Sequence, residues 1–165
     1  IKNVKDVAYI VGEEEKGQFY DQKIHRELDE MKRLGASIPL EQRKTVLFVS
    51  SMDGYTGTGS LFDDMCKYLK VNNAAAQVGL GPFDNGTRED LIKSNPDIIF
   101  IPSVAYTSDG TTPATVEQLY SDPALQGVKA ISNRRVFLVD SSQVMSYSQF
   151  MTRAMVSMAQ NIYSM

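Results

Sequence analysis

Three hydroxyl-rich segments of this chain hold the side chains best suited to grip a small molecule. SMDGYTGT (51–58) carries Met52, Asp53 and Tyr55, SVAYTSDGTTP (103–113) carries Tyr106, and SSQVMSYS (141–148) carries Met145 and Tyr147. A tyrosine offers a broad apolar face with a polar tip, and methionine adds a soft, adaptable contact; together they suit a planar or macrocyclic ligand. Asp53 is grouped with them as a ligand-side candidate, although a glycine-flanked loop acid also forms turns. Loop tyrosines that merely cover the end of a sheet are the plainer alternative. None of the three segments contains Arg or Lys.

The same residues make poor catalytic machinery. Gly57-Thr58-Gly59-Ser60 precedes a helical pattern, and glycines at a helix start admit an anion. It lacks the Gly-Lys-Ser/Thr of a phosphate loop and does not open directly from a strand, so Thr58 or Ser60 reads as a helix cap. Ser50-Ser51-Met52-Asp53-Gly54 is no nucleophile elbow, and the one histidine, His25, lies in a charged helix beside Arg26 and Glu27. A single histidine also argues against a zinc or manganese site built from several imidazoles. Cys66, alone in the sequence, falls among Leu61, Phe62, Met65 and Leu69 and reads as a buried structural thiol. The chain is therefore expected to be a binding protein and not an enzyme, with no covalently bound cofactor and no resident metal.

The elements that must position these loops follow from periodicity. Ile1–Val11 is an apolar helix ending at Gly12. Glu13–Leu34 is a charged helix in which Tyr20, Ile24, Leu28 and Met31 make one apolar stripe; Gly35 ends it and Pro39 prevents a restart. From Lys44 onward strands and helices alternate: strand Thr45–Ser50, helix Gly59–Lys70, a short strand at Ala74–Val78, helix Thr87–Ser94, strand Asp97–Ile101, helix Thr115–Tyr120, strand Arg135–Val139 and helix Tyr147–Tyr163. Thr87 caps its helix, Glu89 and Asp90 complement the dipole, and Asn95-Pro96 stops it before the apolar run Asp97–Ile101. Met151, Met155, Met158 and Ile162, spaced four, three, four, are a core stripe. Alternation at this pitch predicts α/β architecture, a three-layer αβα sandwich with a mostly parallel sheet, whose functional loops lie beyond the carboxyl ends of the strands.

Composition limits the partners. The chain has 165 residues, is 42% hydrophobic and 22% charged, and carries a net charge of -3 without a basic cluster, so no nucleic-acid partner is expected. No apolar run is long enough to cross a membrane as a helix.

Four segments in order carry a family resemblance. TVLFVS (45–50) resembles a first strand, Gly57–Ser60 with Leu61–Leu69 a "G-x-G-S" loop and its helix, and Gly86–Ser103 the capped helix, Pro-Asp step and buried strand. LYSDPALQGVKAISNRRVFLVD (119–140) resembles a short helix followed by a "D-P … N-x-R-V … D" run. In this order they resemble segments of the substrate-binding proteins of ABC importers for iron-siderophore, haem and cobalamin complexes. The resemblance covers roughly Lys44 to Met165 and departs at Val71-Asn72-Asn73, where the family more often has glycines.

The resemblance implies a Rossmann-like carboxyl-terminal lobe at 39–165, preceded by a long interlobe helix and linker at 13–38 and by the tail of an N-terminal lobe at 1–12. It implies a lobe that closes with its N-terminal partner over an iron chelate (siderophore or haem) or a corrinoid. Strongly anionic siderophores would need cations from the other lobe, whereas a corrinoid or ferric hydroxamate needs none. Haem also needs an axial ligand, for which a tyrosine or methionine could serve. The family docks on a membrane permease through an exposed glutamate near the start of the helix before the Pro-Asp step, and the matching residue is Glu89. The implied location is extracytoplasmic, periplasmic or lipid-anchored to the outer face of the cell membrane. A stand-alone flavodoxin-like or receiver-like domain is the alternative; it would require an acidic pair before its first helix and a lysine after a later strand, and neither is evident.

Overall fold

The computed structural model describes residues 2–36, 38–51, 54–82, 84–103, 114–145 and 148–163. In chain order it runs α1 (Lys2–Ile10), α2 (Glu14–Ala36), β1 (Thr45–Ser51), β2 (Gly54–Tyr55), α3 (Leu61–Leu69), β3 (Asn72–Asn73), α4 (Ala74–Gln77), α5 (Arg88–Ser94), β4 (Ile98–Pro102), α6 (Val116–Ser121), α7 (Lys129–Ser132), β5 (Val136–Val139), α8 (Ser141–Val144) and α9 (Met151–Tyr163), with 3-10 turns at Leu40–Gln42 and Pro123–Leu125. β1, β4 and β5 are parallel neighbours, with Phe48 opposite Phe100 and Phe100 opposite Phe137. The first residues of β1, Thr45 and Val46, pair parallel with β3, and its last, Val49 and Ser51, antiparallel with β2.

Alternate strand residues feed two cores, as the period of two requires. Val46, Phe48, Ile98, Phe100 and Val139 pack with Ile24, Leu28 and Met31 of α2, the buried side of α3, and Met155, Met158 and Ile162 of α9. Leu47, Val49, Ile99, Ile101 and Val136 pack with Ala74 and Ala75 of α4, Leu91 of α5, Leu119 of α6 and Ile131 of α7. Helices thus cover both faces of the sheet, the three-layer α/β arrangement that the alternation predicts. Each fully buried large side chain in these layers, Phe100 or Met155 for example, contributes about 1.5–3 kcal/mol against an exposed reference.

The Asn95-Pro96-Asp97 step does more than stop a helix. Asn95 takes a left-handed conformation (φ 43) as the C-cap of α5, and its Oδ1 accepts the N–H of Lys129 at 3.0 Å. The N–H of Ala130 donates to Pro96 O at 2.9 Å. Asp97 Oδ2 accepts the N–H of Thr45 at 2.8 Å. Three elements are thereby tied together at the amino end of the sheet.

The structure departs from the sequence expectations at four places. The segment expected as a strand at Ala74–Val78 is the helix α4, because Asn73 Oδ1 accepts the N–H of Ala75 at 3.1 Å and three alanines follow, the best helix formers. Gly35 does not end α2, which runs to Ala36; a β-carbon there would lie 2.3 Å from Lys70 Cγ, so Gly35 permits close packing. The last helix starts at Met151, and the residues after β5 form the separate α8, capped by Asp140. The antiparallel strand β2 carries no sequence signal of its own; its register is set where β1 turns back through Gly54.

Candidate ligand-binding site

β1, β4 and β5 run parallel, so Ser51, Ser103 and Ser141, where the described chain enters the three hydroxyl-rich segments, share one end of the sheet. Met52, Asp53, Tyr106 and Tyr147 lie outside the described residues. Tyr55 and Met145 are described, and they differ. Tyr55 is 4% exposed and belongs to the core beneath α4 and α5. Its ring lies on Gly86, where an added β-carbon would come within 1.9 Å of Tyr55 Cδ2. The sequence places Tyr55 on the ligand face; in the structure its ring is closed in by packing. Met145 is 44% exposed, directly after α8, its N–H donating to Ser141 O at 3.1 Å.

Met145 stands at the rim of a cavity of about 250 Å³. Phe48, Leu61, Phe62, Pro82, Val144 and Met145 supply its apolar wall, and Ser50, Thr56 and Ser60 its hydroxyls. The Phe48 and Phe62 rings lie 5.4 Å apart and both are buried, so one wall is part of the rigid core. Ser50 Oγ donates to Gly54 O at 3.0 Å, and Ser60 Oγ accepts the N–H of Asp63 at 3.0 Å as the cap of α3. Thr56 Oγ1 is buried with no partner among the described residues. Among the described residues, no ionisable side chain lines the cavity. Sequence reasoning found Met145 but missed the other apolar lining residues, because they come together only when α3, α8 and the 80–82 segment close on β1.

The glycines beside the cavity serve structure. Gly57 N–H donates to Gly81 O at 2.9 Å and Thr58 N–H to Leu80 O at 2.8 Å, and Gly59 N–H donates to Asp63 Oδ2 at 3.2 Å. Backbone amides that a phosphate would require are already engaged. Burial pushes the Asp63 carboxyl up, but the Gly59 N–H, Lys67 and Asn73 together hold it below the usual carboxylate range. At the third segment, the Ser142 hydroxyl above all holds the exposed Asp140 carboxyl low. Ser141 N–H reaches Ser103 Oγ at 3.4 Å, and Ser103 N–H donates to Val139 O at 2.7 Å, so the ends of β4 and β5 are laced together.

The remaining candidates fall elsewhere. His25 Nδ1 lies 2.8 Å from Asp21 O on the exposed side of α2. Cys66 is buried, and that burial pushes its thiol well above the ordinary range, which leaves it unreactive. Among the described residues, no group of three or more His, Cys, Asp or Glu is placed to hold a metal ion, and no helix is long and apolar enough to cross a membrane. Glu89 is exposed at the second position of α5. Its neighbour Arg88 turns away to Asp122, with Nε 3.0 Å from Oδ2. Asn85, three residues before α5, bridges Gly54 just after β1, which puts the start of α5 toward the carboxyl end of the sheet.

Residues 1–143 match the model of a family described as periplasmic binding protein. No curated protein matches the sequence. Among solved structures, the periplasmic heme-binding protein RhuT from Roseiflexus sp. RS-1 superimposes with a TM-score of 0.82 at 21% identity, over 99% of this chain and 61% of its own. A possible iron-binding (periplasmic solute-binding) protein from Staphylococcus epidermidis does so with 0.77 at 18% identity, over 98% of this chain and 60% of its own. The molybdate periplasmic binding protein MolA from Haemophilus influenzae gives 0.81 at 17% identity, over 99% and 48%. At these identities the likeness is one of fold. The chain spans about half to three fifths of the length of these structures.

Proposed function

Since the chain belongs to the periplasmic binding protein family, we propose that it is the carboxyl-terminal lobe of the solute-binding component of an ABC importer. It closes, with an N-terminal lobe, over an iron chelate (siderophore or haem) or a corrinoid, and hands it to a membrane permease. The protein is extracytoplasmic, periplasmic or lipid-anchored. The observation that carries this reading is the cavity at the carboxyl end of the parallel sheet, whose described lining residues are mostly apolar and fringed with hydroxyls. It lies where an open α/β sheet binds its ligand. Met145 stands at its mouth, and Met52, Asp53, Tyr106 and Tyr147 complete the proposed ligand face; Tyr55 acts from beneath by supporting it.

The two-lobed reading has a separate support. Val7, Tyr9, Ile10 and Val11 of the α1 region and Phe19 of α2 are each more than half exposed. Contiguous apolar exposure of this kind marks an interaction surface. A groove of about 300 Å³ runs from Val4 and Val7 past Tyr20 to Ser148 and Gln149, just before α9. We assign α1 as the tail of the N-terminal lobe and α2 as the interlobe helix. The exposed Glu89 carboxylate, displayed from the first turn of α5, is the proposed contact for an arginine of the permease, which it can engage with both oxygens.

The test is binding by the full-length protein. Haemin, cyanocobalamin and ferric hydroxamate and catecholate chelates are titrated, with thermal unfolding as a second readout. A ligand at about 100 times its Kd raises stability by about 2.7 kcal/mol. Absence of binding and of any thermal shift across all of these ligands refutes the reading.

A further inference from the structure

The third hydroxyl-rich segment is held at both ends, and by different elements. At its start the Ser141 N–H reaches Ser103 Oγ at 3.4 Å, which ties it to the end of β4. At its end Ser148 O accepts the N–H of Met151 at 3.2 Å, and Ser148 Oγ that of Phe150 at 3.2 Å, where α9 begins. In the first turn of that helix Thr152 Oγ1 donates to the Glu27 carboxylate of α2, with Gln149 O 3.4 Å away. Thr152 is 2% exposed. It is the polar member of a buried face otherwise made of Ala154, Met155, Met158, Ala159 and Ile162. Glu27 stands beside the stripe of Ile24, Leu28 and Met31 that packs on those residues, with Lys23 Nζ 3.9 Å from its carboxylate. Apolar side chains at 27 and 152 would join the two helices without desolvating a carboxylate. The polar pair therefore adds direction where apolar packing alone would hold. Val144 and Met145 of the same stretch line the cavity, while Ser148 and Gln149 face Gly17 and Tyr20 of α2 across a groove. The stretch borders the cavity on one side and α2 on the other.

Resting on the solute-binding reading above, we propose that Glu27 and Thr152 are positioning residues for the ligand: their bond lets α2, the interlobe helix, set where the third segment ends. Ser141 anchors one end of the segment to the sheet and Thr152 the other end to α2. A displacement of α2 against the sheet is then passed to Met145 and its neighbours. The coupling is reciprocal, so a ligand seated on the segment also biases the placement of α2.

The experiment uses the full-length protein and its Thr152→Val, Thr152→Ser, Glu27→Ala and Tyr163→Phe variants. Tyr163 is the control, because its hydroxyl donates to Leu69 O at the other end of α9. A bond that serves stability alone predicts the same behaviour from Thr152→Val and Tyr163→Phe. Two quantities are read: amide hydrogen exchange over residues 142–151 in the ligand-free protein, and affinity for whichever of haemin, cyanocobalamin and a ferric tris-hydroxamate the wild type binds. Thr152→Val, equal in shape but lacking the hydroxyl, and Glu27→Ala are each expected to speed exchange in that stretch. They are expected to weaken the ligand about threefold to tenfold. Thr152→Ser is expected to restore both, and Tyr163→Phe to change neither. Should Thr152→Val or Glu27→Ala fail to fold, Glu27→Gln, which keeps the shape and removes the charge, decides by the same comparison. Affinity equal to wild type in both Thr152→Val and Glu27→Ala overturns the proposal while leaving solute binding intact, and so does an equal loss in Tyr163→Phe. Binding of none of the ligands by the wild type instead removes the solute-binding reading, and the proposal with it.

Discussion

Replacing Tyr55 with alanine separates two roles that a loop tyrosine can play. As a ligand-stacking residue, its loss weakens binding and leaves the fold alone. As the packed residue of this structure, its loss destabilises the lobe. The ring is 4% exposed and rests on Gly86 with no room for a β-carbon between them. Burying a tyrosine removes about 150–250 Å² from water, about 4–6 kcal/mol at ~25 cal/mol per Å². Partial collapse of the surrounding loops reduces the cost, and aromatic-to-alanine changes in cores measure about 3–5 kcal/mol. A value near ~3 kcal/mol lowers a urea midpoint by about 1.5 M at a slope of ~2 kcal/mol per M. Gly86→Ala supplies the cross-check. In the wild type it overpacks the ring and costs about 1–3 kcal/mol. In a Tyr55→Ala background the clash has no partner, so the same substitution costs only a few tenths of a kcal/mol. The assay is urea unfolding of the four proteins of this cycle. A Tyr55→Ala midpoint equal to wild type, or a Gly86→Ala cost that is the same in both backgrounds, refutes the packing account.

Glu89→Ala is expected to cost the fold at most about 1 kcal/mol, as an exposed charge in the first turn of a helix, to leave ligand affinity unchanged and to impair uptake. Normal uptake by a Glu89→Arg variant would exclude docking through this residue. Asp63 supplies a pH test. Its folded carboxyl is held low, chiefly against the opposing effect of burial, by the Gly59 N–H and by Lys67 and Asn73. It therefore adds stability above its unfolded pKa and loses it as pH falls from about 4 through the lower folded value. The gap between wild type and Asp63→Asn in urea midpoint is expected to shrink between pH 7 and pH 3; a constant gap removes Asp63 from the acid response. Ser60→Ala, which deprives the Asp63 N–H of its capping oxygen, is expected to cost about 0.5–2 kcal/mol by the same unfolding measurement.

Local rules carried much of this molecule. Thr87 and Asp90 form a reciprocal capping box, which Thr87 followed three residues later by an acid makes legible. Ile24, Leu28 and Met31 are all buried, because a stripe at helical spacing must face a core. β1 and β4 lie where continuous apolar runs put them, since strands covered on both faces need apolar residues on both. The αβα class and the helix that displays Glu89 follow from these patterns, which involve neighbours within one or two turns of chain.

What only the tertiary structure decided depends on pairs far apart in sequence. Tyr55 is enclosed because Gly86, 31 positions later, leaves space for its ring; nothing near Tyr55 announces that. Gly35 resembled a helix stop until Lys70 lay against it. The cavity exists because Phe48, Pro82 and Val144 converge from separate elements on the start of α3. Sequence periodicity states which face of an element is apolar. Which faces then meet, and what space they leave between them, is settled by side-chain volume across the whole fold.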